Sequence, residues 1–112
     1  MQRGAIWWAD LAAPSASEPG YRRPVLIVQS NSFNRSAIRT VVVIALTSNM
    51  NLARAPGNVS IARDESGLPK DSVANVSQLL TIDKEFLTEK VNVVNANTMK
   101  MVEEGLRLVL SI

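Results

Sequence analysis

Thr40-Val41-Val42-Val43-Ile44-Ala45-Leu46-Thr47 is the most apolar stretch of the chain, and no polar residue interrupts its interior. Its β-branched side chains run continuously instead of alternating, which predicts a strand buried on both faces. Pro24-Val25-Leu26-Ile27-Val28-Gln29 reads the same way, with proline at its first position, where a strand tolerates one. Ala5-Ile6-Trp7-Trp8-Ala9 is shorter and aromatic and predicts a first strand. Neighbouring residues of a strand point to opposite faces, so Trp7 and Trp8 face opposite ways. Val59–Ala62, Ser72–Ile82 (one strand or two) and Val91–Val94 complete the β-prone segments.

Polar segments separate these runs. Ala12–Gly20 holds two prolines, two serines and a glycine and predicts a long loop, a frequent seat of function. Ser30–Ser36 and Asp64–Asp71 read as turns, and Pro56-Gly57-Asn58 turns the chain into the strand at Val59. Ser48–Ala53 and Asp83–Leu87 each predict a turn of helix. The C-terminus carries the one clear helix, capped by Asn95 or Asn97. Met99, Val102, Leu106 and Val109 fall on one face, with Glu103 and Glu104 opposite. Gly105 inside that helix costs about 1 kcal/mol against alanine, so packing has to hold it. Short strands, turns and one terminal helix predict a mainly β domain spanning residues 1–112, a small curled sheet or barrel.

Composition then narrows the chemistry. A chain of 112 residues buries a core of marginal stability, and dimerisation would bury more apolar surface. It has no cysteine, which removes disulfides and thiolate metal sites. It has no histidine, which removes a two-histidine ribonuclease mechanism, a Ser-His-Asp triad and imidazole ligands. No apolar run is long enough to span a membrane, and the N-terminus does not read as a signal peptide, so a cytoplasmic location is expected. Residues 1–60 carry six bases, all arginine, against Asp10 and Glu18, while residues 61–112 carry six bases against eight acids. Arginine grips phosphate through a planar fork, which mildly favours a polyanionic partner.

Three polar groupings can carry chemistry. Arg22-Arg23-Pro24 stands between the long loop and a buried strand. Proline keeps Arg23 extended, so its side chain leaves the start of a rigid element. Two solvated arginines at a strand end would look the same. Thr47-Ser48-Asn49 ends the most apolar strand and can orient a phosphate or a ribose, or simply cap a helix. Glu18 is the one acid of the long loop, either a general base, an aiming partner for an arginine, or a solvated carboxylate. Lys70, Asp71 and Gln78 can read base edges or tie loops together.

The order of these features resembles the MazF/PemK toxin family over roughly residues 3–112. The residues that carry the likeness are Arg3–Asp10, Ser17–Gln29, Ala45-Leu46-Thr47-Ser48-Asn49, Pro56-Gly57-Asn58-Val59 and Gly67–Val73. The resemblance implies an SH3-like small β-barrel of the MazF/CcdB type with a C-terminal α-helix, working as a homodimer. It implies a metal-independent, cofactor-free, sequence-specific endoribonuclease that cuts single-stranded RNA. A cognate antitoxin of the MazE/PemI kind would cover the groove, and DNA would be met only through that antitoxin. Matched by motif, Arg23, Thr47 and Glu18 take catalytic places. Ser17, Arg22, Ser48, Asn49, Lys70, Asp71 and Gln78 take RNA-binding ones. Ala16 departs from the glycine that many relatives carry before the serine. Two other functions fit such a fold: a non-catalytic, CcdB-like gyrase poison and a catalytically silent RNA-binding module. Both tryptophans lie at the N-terminus and the chain ends Leu108-Val109-Leu110-Ser111-Ile112, unlike the tryptophan-bearing tail of the gyrase poison.

Overall fold

Six strands form one antiparallel sheet in the order β4-β5-β3-β2-β1-β6 in the computed structural model, which describes residues 1–11 and 21–112. The strands are β1 (Ala5–Leu11), β2 (Tyr21–Ile27), β3 (Thr40–Thr47), β4 (Val59–Ile61), β5 (Ser72–Asp83) and β6 (Leu87–Val93). Helical turns α1 (Asn31–Asn34) and α2 (Arg63–Ser66) and helix α3 (Ala96–Leu110) complete the chain, with short 3₁₀ turns at Met50–Arg54 and Lys84–Phe86. The sheet is a curled half-barrel, as its mainly β pattern requires, and α3 closes one side.

Both continuous apolar runs are central strands buried on both faces. Ile6, Leu26, Ile44, Leu46, Val76 and Val102 belong to one cluster, which α3 covers. Ala5, Ala9, Val25, Ile27, Val41 and Val43 belong to a second cluster on the other face. The alternation splits the tryptophans as expected: Trp8 packs against the first cluster and Trp7 against the second. Ser72–Ile82 resolves as one long strand rather than two. It bends at a register shift between Ile44 and Leu46 of β3, where extra β5 residues oppose a single partner.

Two sequence expectations shift. β2 begins at Tyr21, so Pro24 lies inside the strand, opposite Trp8. The ladder to β3 starts only at Val25, which leaves that part of β2 with an open side where a missing N–H is tolerated. In α3 the inward face is Thr98, Met99, Val102 and Gly105, with Leu106 beside it, whereas Val109, a turn beyond Leu106, is 43% exposed. Asn95 is the cap, accepting from the Thr98 N–H at 2.8 Å. Gly105 has a packing reason: a Cβ there would collide with the carbonyl of Gly57, itself at φ +84° in the turn before β4.

Candidate functional site

Strand pairing decides what the polar residues at the mouth of the sheet can reach. The last ladder pair between β2 and β3 at this end is Val25–Ala45. Continued two residues further, the same register aligns Arg23 with Thr47. Both share the parity of Val25 and Val43, so both belong to the second face. Arg22 has the opposite parity, that of Pro24 and Leu26, and belongs to the face of Trp8. Two arginines adjacent in sequence therefore emerge on opposite sides of one strand.

A cleft of about 470 Å³ wraps this end of the sheet. Arg22, Arg23, Thr47, Ser48 and Lys70 line it, so the structure brings together five of the residues expected to act. Its apolar wall is Trp8, Pro24, Leu46, Leu68 and Pro69. The segment that carries Leu68–Lys70 is tied at both ends: the Asp71 carboxylate accepts from the Arg63 N–H at 2.9 Å, and the Ser66 hydroxyl accepts from the Leu68 N–H at 3.0 Å. Gly67, at φ +77°, makes the left-handed turn between them.

Each site side chain has its own hydrogen-bond state. The Thr47 Oγ1 accepts from the Asn49 N–H at 3.1 Å, which occupies one lone pair and leaves its own proton to donate elsewhere. The Asn49 side chain accepts from the Asn51 N–H at 3.2 Å and caps the 3₁₀ turn after β3. Arg23 is exposed and makes no salt bridge among the described residues. Arg22 donates from Nη2 to the Glu89 carboxylate at 3.2 Å, and its guanidinium carbon lies 4.3 Å from the Trp8 ring centroid.

Three expected residues stand elsewhere. Asn49 and Asp71 are engaged in the caps and ties just described, outside the cleft lining. Gln78 is half-buried in the irregular stretch of β5, also outside it. Ser17 and Glu18 lie outside the described residues. Sequence reasoning missed Glu89 and the wall residues Leu68 and Pro69, and it placed Trp8 on one face of β1 without naming it as a site residue. Only the β1–β6 pairing, which sets Trp8 opposite Glu89, reveals that partner. Tyr21 was also missed: it opens β2 at φ +59° and is 67% exposed at the cleft edge. A left-handed conformation costs a non-glycine residue about 1–2 kcal/mol and marks a place where the chain is steered.

Residues 2–110 match the model of the PemK-like, MazF-like toxins of type II toxin–antitoxin systems. The protein called endoribonuclease MazF6 of Mycobacterium tuberculosis is 46% identical over 112 residues, covering 100% of this chain and 98% of that protein. An endoribonuclease in complex with its cognate antitoxin, from a mycobacterial species, superposes with a TM-score of 0.75 at 25% identity, over 100% of this chain and 94% of that one. A MazF crystal structure from Deinococcus radiodurans has a TM-score of 0.81 at 19% identity, over 100% of this chain and 97% of that one, and supports the fold.

Proposed function

This chain belongs to the PemK-like, MazF-like toxins of type II toxin–antitoxin systems, and from that premise we propose how it acts on RNA. It is a toxin endoribonuclease that cuts single-stranded RNA, and residues 1–112 form its one toxin domain. Growth inhibition follows from the loss of cellular RNA. The reading is carried by one observation: Arg23 and Thr47 line the same cleft beyond the Val25–Ala45 end of the β2–β3 ladder, on a chain 46% identical to a named endoribonuclease along its whole length. Neither the gyrase poison nor the silent RNA-binding module requires that pair.

The ribose 2′-OH attacks the adjacent phosphorus, and the bond to O5′ breaks. A 2′,3′-cyclic phosphate and a 5′-OH result. Negative charge gathers on the phosphorane oxygens, where the planar fork of Arg23 binds two of them. A preorganised charge at that point is usually the largest catalytic term. Thr47 donates its hydroxyl proton to a phosphate oxygen, its lone pair already fixed by the Asn49 N–H. Ser48 and Lys70 on the same cleft steady the neighbouring backbone. Asn49 and Asp71 serve the RNA indirectly, by shaping the turns that present those residues. The 2′-OH proton goes to Glu18 or to Arg23, and O5′ takes a proton in return. Arginine stays protonated throughout the working pH range, which leaves the Glu18 carboxylate as the available base.

Incubation of the pure protein with a long single-stranded RNA in EDTA tests the reading. Discrete cuts are expected, abolished by Arg23→Ala and by a 2′-deoxy nucleotide at the cut. RNA left intact at stoichiometric protein refutes it. The rate should show no inflection near pH ~6.5, the histidine range, since the chain has no histidine. An inflection at neutral pH that vanishes in Glu18→Gln assigns the base to Glu18.

The partners follow from the same premise. A cognate antitoxin folds a disordered segment over the cleft, and the chain reaches DNA only through it. The toxin works as a homodimer in the cytoplasm. No helix of the described residues is long and apolar enough to cross a membrane.

A further inference from the structure

Arg22 and Arg23 are chemically identical, yet only Arg23 is presented as an open fork. The Arg22 guanidinium lies over the Trp8 ring, 4.3 Å from its centroid, with Nη2 held 3.2 Å from Glu89 Oε1. One face of the plane and one edge are thus occupied, while half of the side chain stays exposed. Beside it the cleft presents Pro24, Leu68 and Pro69, with Lys70 also in its lining. Its volume of about 470 Å³ is that of a small-molecule site. Flat apolar walls, a cationic plane and a lysine beside them suit an unstacked base with its phosphate outside. Single-stranded RNA is recognised in this way, by bases splayed onto aromatic rings and guanidinium planes.

We propose that Arg22 is a base-stacking platform for one nucleotide next to the cut, with Trp8 supporting it from beneath and Glu89 fixing its orientation. The inference rests on the endoribonuclease reading and gives that site its specificity element. Arg22 contacts a base where Arg23 contacts the scissile phosphate. Glu89 never touches the RNA: it is a positioning residue on β6, acting through Arg22. With Nη2 held by Glu89, a phosphate at Arg22 would have only the remaining N–H groups of the fork.

The test uses an RNA of the cleaved sequence made uncuttable by a 2′-deoxy nucleotide at the cut. A single abasic nucleotide is walked across the flanking positions, and affinity is measured. Wild-type protein should lose about tenfold at one position, the scale of a lost stacking contact. Arg22→Lys keeps the charge and loses the plane. It should bind the intact RNA about tenfold more weakly and be indifferent to the abasic nucleotide at that position. Glu89→Gln should show the same pattern at about twofold to threefold, as befits an exposed ion pair. It should raise KM, leave kcat unchanged, and be restored by Glu89→Asp. Both side chains are at least half exposed, so the variants keep the fold. Arg22→Lys binding like wild type while Arg22→Gln binds weakly would assign Arg22 to phosphate and overturn the platform. An abasic penalty undiminished in Arg22→Lys overturns it equally. Absence of any cutting by wild type is a failure of the cleavage reading, seen before binding is measured. Cutting without the abasic pattern is a failure of the platform alone.

Discussion

The two faces of the sheet bury apolar clusters of similar make-up, yet they have opposite tolerances. On the first face α3 lies so close to the turn before β4 that Gly105 and Gly57 meet backbone to backbone, and nothing larger fits. On the second face the β2–β3 ladder ends at Val25 and Ala45, and beyond it Arg23 is exposed and Thr47 half-buried in the lining of an open cleft. Packing makes the first region specific, and it is felt as stability. Charge placement distinguishes the second, and under the proposed function it is felt as rate. The same strands serve both because alternate residues of β2 and β3 point to opposite sides.

The sharpest way to break this contrast is Arg23→Ala. It should lower kcat about 10²–10³-fold, the scale for removing one donor to a developing oxyanion, and leave the urea midpoint unchanged. A large stability loss would move Arg23 from the site to the scaffold. Gly105→Ala should do the reverse. An added Cβ against a backbone carbonyl costs about 3 kcal/mol, read as a lower urea midpoint, while kcat per folded molecule stays at the wild-type value. Asn95→Ala removes the cap of α3 and should cost about 1 kcal/mol. The smallest effect belongs to Glu103→Gln, which breaks the pair with Arg3 at 2.8 Å. That bond is part-exposed, so at most about 0.5–1 kcal/mol is expected, shrinking further in salt.

Much of the scaffold was legible because its signals are local. The run Thr40–Thr47 is β3 to the residue, and Val25–Ile27 is buried on both sides as a run without alternation requires. The 3₁₀ turn after Thr47, the turn at Gly57 and the cap at Asn95 were readable from residues a few positions apart. The site was less legible. The resemblance gave Arg22 and Arg23 different roles, but only strand parity shows that they emerge on opposite faces. Asn49 and Asp71 read as RNA contacts, yet their carboxamide and carboxylate oxygens accept main-chain N–H groups. Such local bonds compete for the same donors and acceptors that a ligand would use. Val109 completed a helical stripe on paper but is exposed, the packed stripe ending at Leu106.

By itself the sequence determined the class of structure and the class of chemistry. Continuous β-branched runs must be central strands. A chain without histidine or cysteine must use guanidinium, hydroxyl, carboxylate or amine groups. These follow from what each side chain is, wherever it lies. The tertiary structure decided which of those groups come together: Arg23 and Thr47 in the lining of one cleft, Arg22 between Trp8 and Glu89, Gly105 against Gly57. Those meetings join residues far apart in the chain, and a strand's side-chain period of two turns every one-residue change of register into a change of face. Register is fixed by the packing of the whole sheet, so no local stretch of sequence contains it.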